Sequence, residues 1–305
     1  MKYGIFVLLS VVCFMGCGEE KKSPKMSAQA KGEVVSSIFP LGDVVQNILG
    51  DTENRYLLPP RANPHSYEPS PNDMKKLKGV KIAILVGGGL DDWVEKLLKN
   101  QSHNQVKVVR LVSKLDKSRI FPIRQGHGHH KVDGSGETVD PHVWLDPVLM
   151  KEIVEIVSRE LTKVFPKKSL EISRNTKSYL QKLNELDREC EKGIKGLKER
   201  KYISVHGAFY YFARRYGLEE KAVIEPFPGK EPSVQWMKEL ILEAKEHKVT
   251  TVWAEPQLSN KSAVLLAHEL GGKVIVLDPM GDPSHREKDS YVKLMKYNLN
   301  KLVGN

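Results

Sequence analysis

Cysteine is nearly absent from this chain. Three occur in 305 residues, and two of them, Cys13 and Cys17, lie near the N-terminus. Only Cys190 remains in the body, so a mature chain forms no internal disulfide, and a cluster of thiolates around a metal is excluded by the same count. No His-Glu-x-x-His pair is present, and no nucleophile stands beside a base in a recognisable arrangement. The first apolar run, residues 3–14, is too short to span a membrane. Nucleic-acid signatures are missing as well. The formal net charge is +10, but Lys and Arg are spread among Asp and Glu with no RNP, finger or basic-zipper pattern. The lysines read as a solvated surface, suited to lie near anionic lipid.

Hydrophobic residues at 40% and charged residues at 28% provide for a real core. The N-terminus fixes the compartment. Lys2 supplies a positive n-region, the apolar run follows, and Phe14-Met15-Gly16-Cys17 precedes a polar stretch. This resembles a bacterial lipobox, with Phe14 where Leu or Val is usual. It implies cleavage before Cys17 and lipid on its sulfur. Residues 1–16 are then a lipoprotein signal peptide and 17–32 a flexible tether. The alternative is a plain signal peptide, and either reading exports the protein.

Beyond residue 33 the pattern alternates. Strands are expected at 33–38, 54–58, 81–86 and 106–112, with helices at 40–49, 71–78 and 91–98 between them. Two helical runs follow, 148–164 and 167–197, broken at Pro166. Alternation resumes with strands at 202–205, 222–224, 249–253 and 273–277 and helices at 210–216, 234–247, 262–270 and 290–302. Strands alternating with helices predict parallel sheets. The expected fold is α/β, with an N-terminal lobe at 33–165, a rigid linking helix at 166–200 and a C-terminal lobe at 201–305. Each lobe is a mostly parallel sheet flanked by helices.

The chemistry concentrates in Asp140-Pro141-His142-Val143-Trp144-Leu145-Asp146-Pro147, where two prolines stiffen a segment presenting one imidazole. His206 and Asp278 follow expected strands, and His65 lies in the loop after one. In open α/β sheets ligands bind beyond the carboxyl ends of the strands. If two lobes face each other, three imidazoles and a carboxylate meet in the cleft between them, a set that suits Zn²⁺ and also accommodates Mn²⁺ or Fe²⁺. Taken singly, each has an ordinary structural reading: His65 and His206 as satisfied histidines, Asp278 as a turn residue or helix cap.

Six segments in order carry a resemblance. They are Asn63-Pro64-His65-Ser66-Tyr67-Glu68-Pro69, the Asp140–Pro147 motif, Val205-His206-Gly207-Ala208-Phe209, Pro228-Gly229-Lys230-Glu231-Pro232-Ser233, Ala254-Glu255-Pro256-Gln257 and Leu277-Asp278-Pro279. They resemble the metal-binding proteins of zinc and manganese ABC transporters, over nearly all of the chain after residue 33. The resemblance implies a monomer of two α/β lobes joined by a long helix, with His65, His142, His206 and Asp278 as ligands. It implies capture of Zn²⁺ outside the cytoplasm, on a protein held at the membrane through Cys17 and facing the periplasm or cell exterior. Delivery would be to the membrane subunit of an ABC permease, without catalysis. Histidine rather than glutamate at position 206 favours Zn²⁺ over Mn²⁺. The loop at 125–139, with His127, His129 and His130, is expected to act as an auxiliary zinc-capturing segment. Glu255 is expected to orient a ligand histidine through a hydrogen bond. Two other classes stay open on the residues alone: an exported zinc hydrolase with an open coordination position, and an adhesin with structural metal.

Overall fold

The computed structural model describes residues 1, 32–50, 56–99, 106–123, 139–225 and 228–304. The expected leader, Cys17, the tether up to residue 31 and the histidines His127, His129 and His130 lie outside the described residues.

The first half builds a three-stranded parallel sheet, in the order β1 (Val34–Ser36), β2 (Ile82–Leu85), β3 (Lys107–Arg110). Central β2 reads Ile-Ala-Ile-Leu and is buried throughout, as expected of a parallel strand covered on both faces. Between the strands lie α1 (Phe39–Leu49), α2 (Pro71–Lys76) and α3 (Asp92–Lys99). The strand expected at 54–58 is reduced, among the described residues, to a parallel bridge from Tyr56 to Ser36. Leu57 and Leu58 still donate N–H bonds to the carbonyls of Ser36 and Ser37, at 3.0 Å each. Pro59 and Pro60 have no N–H with which to continue.

Two helices follow, α4 (Pro147–Val164) and α5 (Ser169–Lys195). At about 1.5 Å per residue, α5 is about 40 Å long. Its buried side chains are Ile172, Tyr179, Leu183, Leu186, Cys190 and Ile194, a stripe at three- and four-residue spacing. As expected, a long helix links the halves; α5 lies along α1 and α4 on one side and α9 (Tyr291–Val303) on the other, its apolar stripe inside the main core. Gly193 explains how closely α9 approaches, since a Cβ there would sit 2.9 Å from Leu299 Cδ1.

The second half forms a four-stranded parallel sheet, β5 (Glu219–Val223), β4 (Lys201–Ser204), β6 (Thr251–Ala254), β7 (Lys273–Val276). Its other helices are α6 (Tyr210–Tyr216), α7 (Val234–Glu246) and α8 (Lys261–Glu269). Strand β5 begins earlier than its apolar run suggested. Glu219 and Lys221 pair outside the core at 2.6 Å, while Glu220 turns inward and accepts the Ser204 hydroxyl at 2.6 Å. A charged strand start of this kind carries no apolar signal.

The larger apolar core runs from the first sheet through α4, α5 and α9 to Tyr202 and Trp253 of the second, which stack at 3.5 Å between ring centroids. A smaller cluster fills the space under α7 and α8. Buried polar bonds tie the halves together. Trp144 donates its indole N–H to the Pro279 carbonyl at 2.8 Å. The Tyr291 hydroxyl donates to the Trp144 carbonyl at 2.8 Å. At the carboxyl ends of β5, β4, β6 and β7 stand Glu225, His206, Glu255 and Asp278, which brings the loops of the second sheet to one cleft.

Candidate metal centre

The Asp140–Pro147 segment divides its work between its two aspartates. Asp140 Oδ1 lies 2.7 Å from His142 Nδ1 and also accepts the His142 backbone N–H at 3.0 Å. A carboxylate at Nδ1 places the ring proton there and leaves the lone pair on Nε2. Asp146 instead caps α4, accepting the Val148 N–H at 2.7 Å, and takes the Arg215 guanidinium at 2.9 Å. Pro147 then opens the helix at a position where no N–H is needed. The imidazole is thus held between a helix start and a carboxylate, with Tyr211 donating to the Asp140 carbonyl at 3.0 Å.

His65 comes from a short loop whose turn is set by Asn63, which accepts the His65 N–H at 3.0 Å. The loop is anchored beyond it, where Asp73 accepts from Tyr67 at 2.7 Å and from the Ser70 N–H at 2.9 Å. Burial alone would raise the Asp73 carboxyl, but bonds from Tyr67, Ser70 and Lys76 outweigh it and hold it at about 2. His206 ends the β4 segment in extended conformation, just before a tight turn into α6. Its Nδ1 lies 3.1 Å from Glu255 Oε1, so its Nε2 also faces the cleft as a lone pair. Burial pushes the His206 imidazolium down, but the Glu255 carboxylate, with Asp140 and Glu220 behind it, raises the ring above its ordinary value.

The three rings converge. Centroids lie 5.2 Å apart for His65 and His142, 4.8 Å for His65 and His206, and 4.8 Å for His142 and His206. One nitrogen from each falls within 4.8 Å of the others. His65 Nε2 and His142 Nε2 are 3.2 Å apart. Two lone pairs that close repel unless a proton or a cation lies between them. The rings line a cavity of about 10 Å³, room for one ion or one water, walled by Pro64, Trp144, Leu258 and Met280. Three imidazoles around one such space fit Zn²⁺.

Asp278 is not part of this cluster. Its Oδ1 accepts from Gln257 Nε2 at 2.9 Å and from the Met280 and Gly281 N–H groups at 3.0 and 3.1 Å. Its Oδ2 takes the Lys288 ammonium at 2.6 Å. The pair is largely buried, with side-chain exposures of 13% for Lys288 and 4% for Asp278. Separating such a pair costs about 3–5 kcal/mol. In this arrangement the Asp278 carboxylate accepts the backbone N–H groups of the turn after β7. Glu255, by contrast, contacts one of the three clustered histidines, His206. His268 and His285 are exposed and outside the cluster, and His247 is half-buried at the end of α7.

Pattern reading passed over four participants. Asp140 was legible, because a carboxylate two residues before a histidine can reach Nδ1. Glu225 is 2% exposed and accepts the Gly229 N–H at 2.9 Å. Burial raises its carboxyl, while the Gly229 N–H and the nearby His206 act against this. Gln257 and Lys288 reach the site from loops that carry no periodic signal.

Residues 34–305 match the family model described as zinc-uptake complex component A, periplasmic. The chain belongs to this family. It is 30% identical over 309 residues to the high-affinity zinc uptake system protein ZnuA of Bacillus subtilis, across 98% of this chain and 96% of that one. Against the zinc-binding lipoprotein AdcA of Streptococcus pneumoniae it is 28% identical over 305 residues. That match takes in 98% of this chain but only 60% of AdcA, so the chain spans about three fifths of that relative's length. A crystal structure of ZnuA superposes with a TM-score of 0.76 at 29% identity, over 89% of this chain and 97% of the other. The mixed α/β fold, with two parallel sheets and a long helix, is that of this zinc-uptake family. Among the described residues no helix is long and apolar enough to cross a membrane.

Proposed function

We propose that this protein is the solute-binding component of an ABC transporter, capturing Zn²⁺ outside the cytoplasm and delivering it to a membrane permease. The observation that carries the reading is the convergence of His65, His142 and His206 on a space for one ion. Family membership supports zinc as cargo. The donor set supports it too, since three imidazoles suit Zn²⁺ better than Mn²⁺ or Fe²⁺. The ion-sized space ringed by three imidazoles favours a carrier over a hydrolase. Protons compete with the metal for all three rings, so affinity falls as pH drops.

The buried ties from Trp144 to Pro279 and from Tyr291 to Trp144 favour release by a local movement over a wide hinge. The chain divides into lobes at 33–165 and 201–305, joined by a linking segment at 166–200 in which α5 is a packed element. Lipid on Cys17 would hold a monomer at the membrane surface, as in the relative described as a lipoprotein.

The auxiliary role of His127, His129 and His130 draws on the residues flanking their loop. Pro122 bridges Val139, and the Asp140 N–H donates to the Phe121 carbonyl at 2.9 Å, so the segment begins and ends beside His142. A weak second zinc site there feeds the main one. Removing residues 125–132 should lower stoichiometry or uptake at limiting zinc, and unchanged values would dispose of this role. The main reading is tested by titrating the soluble chain, lacking residues up to Cys17, with Zn²⁺ and Mn²⁺. One tight Zn²⁺ per chain that Mn²⁺ fails to displace supports it. Equal or preferred Mn²⁺ binding moves the cargo to manganese.

A further inference from the structure

The last turn of α4 lies at the amino ends of the first sheet. The three strands of that sheet run parallel, so residues 33, 81 and 107 start on one side. Lys107 pairs with Glu160 near the end of α4. Glu33 meets Lys81 through both side chain and backbone. Helix α1 ends on the same side, since Asn175, early in α5, donates to the Ile48 carbonyl at 3.0 Å. The turn from α4 into α5 is thus the tip of this pole, and the chain enters the sheet on the same side at residue 33.

The tip is both apolar and basic. It reads Lys163-Val164-Phe165-Pro166-Lys167-Lys168-Ser169-Leu170. Pro166 opens a tight turn, closed by the Lys168 N–H on the Phe165 carbonyl at 2.9 Å. Leu170 is 86% exposed. It stands two residues before Ile172, on the side of α5 opposite the buried stripe, so it serves no core. Val164 and Phe165 are half-buried in the same turn. Lys167 and Lys168 make no ion pair among the described residues. Lys163 stays exposed even though it reaches Glu160. A lone exposed leucine is ordinary. One raised on a proline turn between lysines has the make-up of a membrane-interface contact, with apolar side chains towards the acyl chains and ammonium groups at the phosphates.

We propose that this tip seats the protein on an anionic bilayer, with Leu170 and Phe165 entering the interface and Lys163, Lys167 and Lys168 meeting lipid phosphates. Charge complementarity is one support. Glu33 and Glu160, carboxylates of this pole, are already taken up by Lys81 and Lys107, which leaves the tip lysines for an external anion. The tether is the other. With lipid on Cys17, the 14 residues between it and Gly32 span at most about 50 Å, and the part of the body they reach first is the start of β1. The inference rests on the membrane location proposed above. Helix α4 then holds the His142 turn about 27 Å from the tip, which leaves the metal cleft open to solution.

The test measures binding of the soluble chain, lacking residues up to Cys17, to two kinds of vesicle. One contains phosphatidylglycerol in phosphatidylcholine, the other phosphatidylcholine alone. Binding is expected on the first only, and should fall as salt rises. Leu170→Ser should weaken it by about 3- to 10-fold, and Lys167→Glu with Lys168→Glu by about 10-fold or more, with Zn²⁺ affinity unchanged. Leu242→Ser, at an exposed leucine of α7, is the control and should bind like the parent. A polarity-sensitive fluorophore on Leu170→Cys should shift to the blue on anionic vesicles, and one on Leu242→Cys should not. Failure of the parent to bind anionic vesicles, parent-like binding in the tip variants, or an equal loss in Leu242→Ser would overturn the proposal. Lipid on Cys17 is read separately, from the mass of the full chain purified from membranes. Its absence would remove the anchor, while the vesicle result would still decide the tip.

Discussion

Replacing Asp140 with Asn removes one charge and leaves the shape of the side chain. Asp140 is 7% exposed, and one oxygen holds both the ring and the backbone N–H of His142, at 2.7 and 3.0 Å. The carboxylate acts on the metal in two ways. It fixes the tautomer that leaves the Nε2 lone pair free, and it makes that nitrogen a better donor. An Asn can still accept the backbone N–H, so the loop should keep its course. What is lost is the charge behind the ring. Changes to partners of this kind cost about 10- to 100-fold in metal affinity, or about 1.4–2.8 kcal/mol. The 2.7 Å contact places Asp140→Asn in the upper part of that range. Glu255 meets His206 through longer contacts of 3.1 and 3.4 Å, so Glu255→Gln should cost less. The assay is chelator competition at neutral pH, beside a thermal melt of the metal-free chain. Affinity within twofold of the parent in a folded Asp140→Asn variant would refute the argument that this carboxylate tunes the ligand.

Three further expectations concern the frame. Tyr291→Phe removes the bond to the buried Trp144 carbonyl and should cost about 1–3 kcal/mol, lowering the melting temperature by several degrees. Gly281 has φ +75°, and a Cβ there would lie 2.9 Å from the Phe39 ring and 3.1 Å from the Lys288 carbonyl. Gly281→Ala should therefore destabilise by about 1–3 kcal/mol in a denaturant melt. Glu160 is pinned by Lys107, and despite its burial Lys163 and Lys114 help hold its carboxyl at about 2. A depressed carboxyl stabilises the fold above its unfolded value and loses that contribution as pH falls through about 2. Because its lysine partners are 38–63% exposed, the gain is screened to about 1 kcal/mol. Glu160→Gln should melt lower than the parent at pH 7 and match it near pH 2. An equal gap at both pH values would contradict this.

Much of this architecture is written locally. Helices α6 and α7 sit within a residue of their apolar period, and central β2 announces itself by four consecutive buried apolar residues. The three histidines stand out because each follows a strand or a proline-stiffened turn. What stayed hidden depends on partners distant in sequence. Strand β5 starts with charges whose burial is decided by Ser204. The stripe on α5 predicts a buried face but not that α1, α4 and α9 supply the cover. Asp278 carries two legitimate meanings, ligand or turn. Its carboxylate is held by Lys288, ten residues on, and by Gln257, twenty-one residues back. No local pattern records that competition.

The central claim is that His65, His142 and His206 hold one ion together. X-ray absorption at the zinc edge of the chain loaded with one equivalent of Zn²⁺ tests it most directly. The account predicts four light donors with outer-shell scattering from three imidazoles, at Zn–N distances of about 2.0–2.1 Å. Scattering from fewer than three imidazoles, or a spectrum unchanged in His206→Ala, would contradict it.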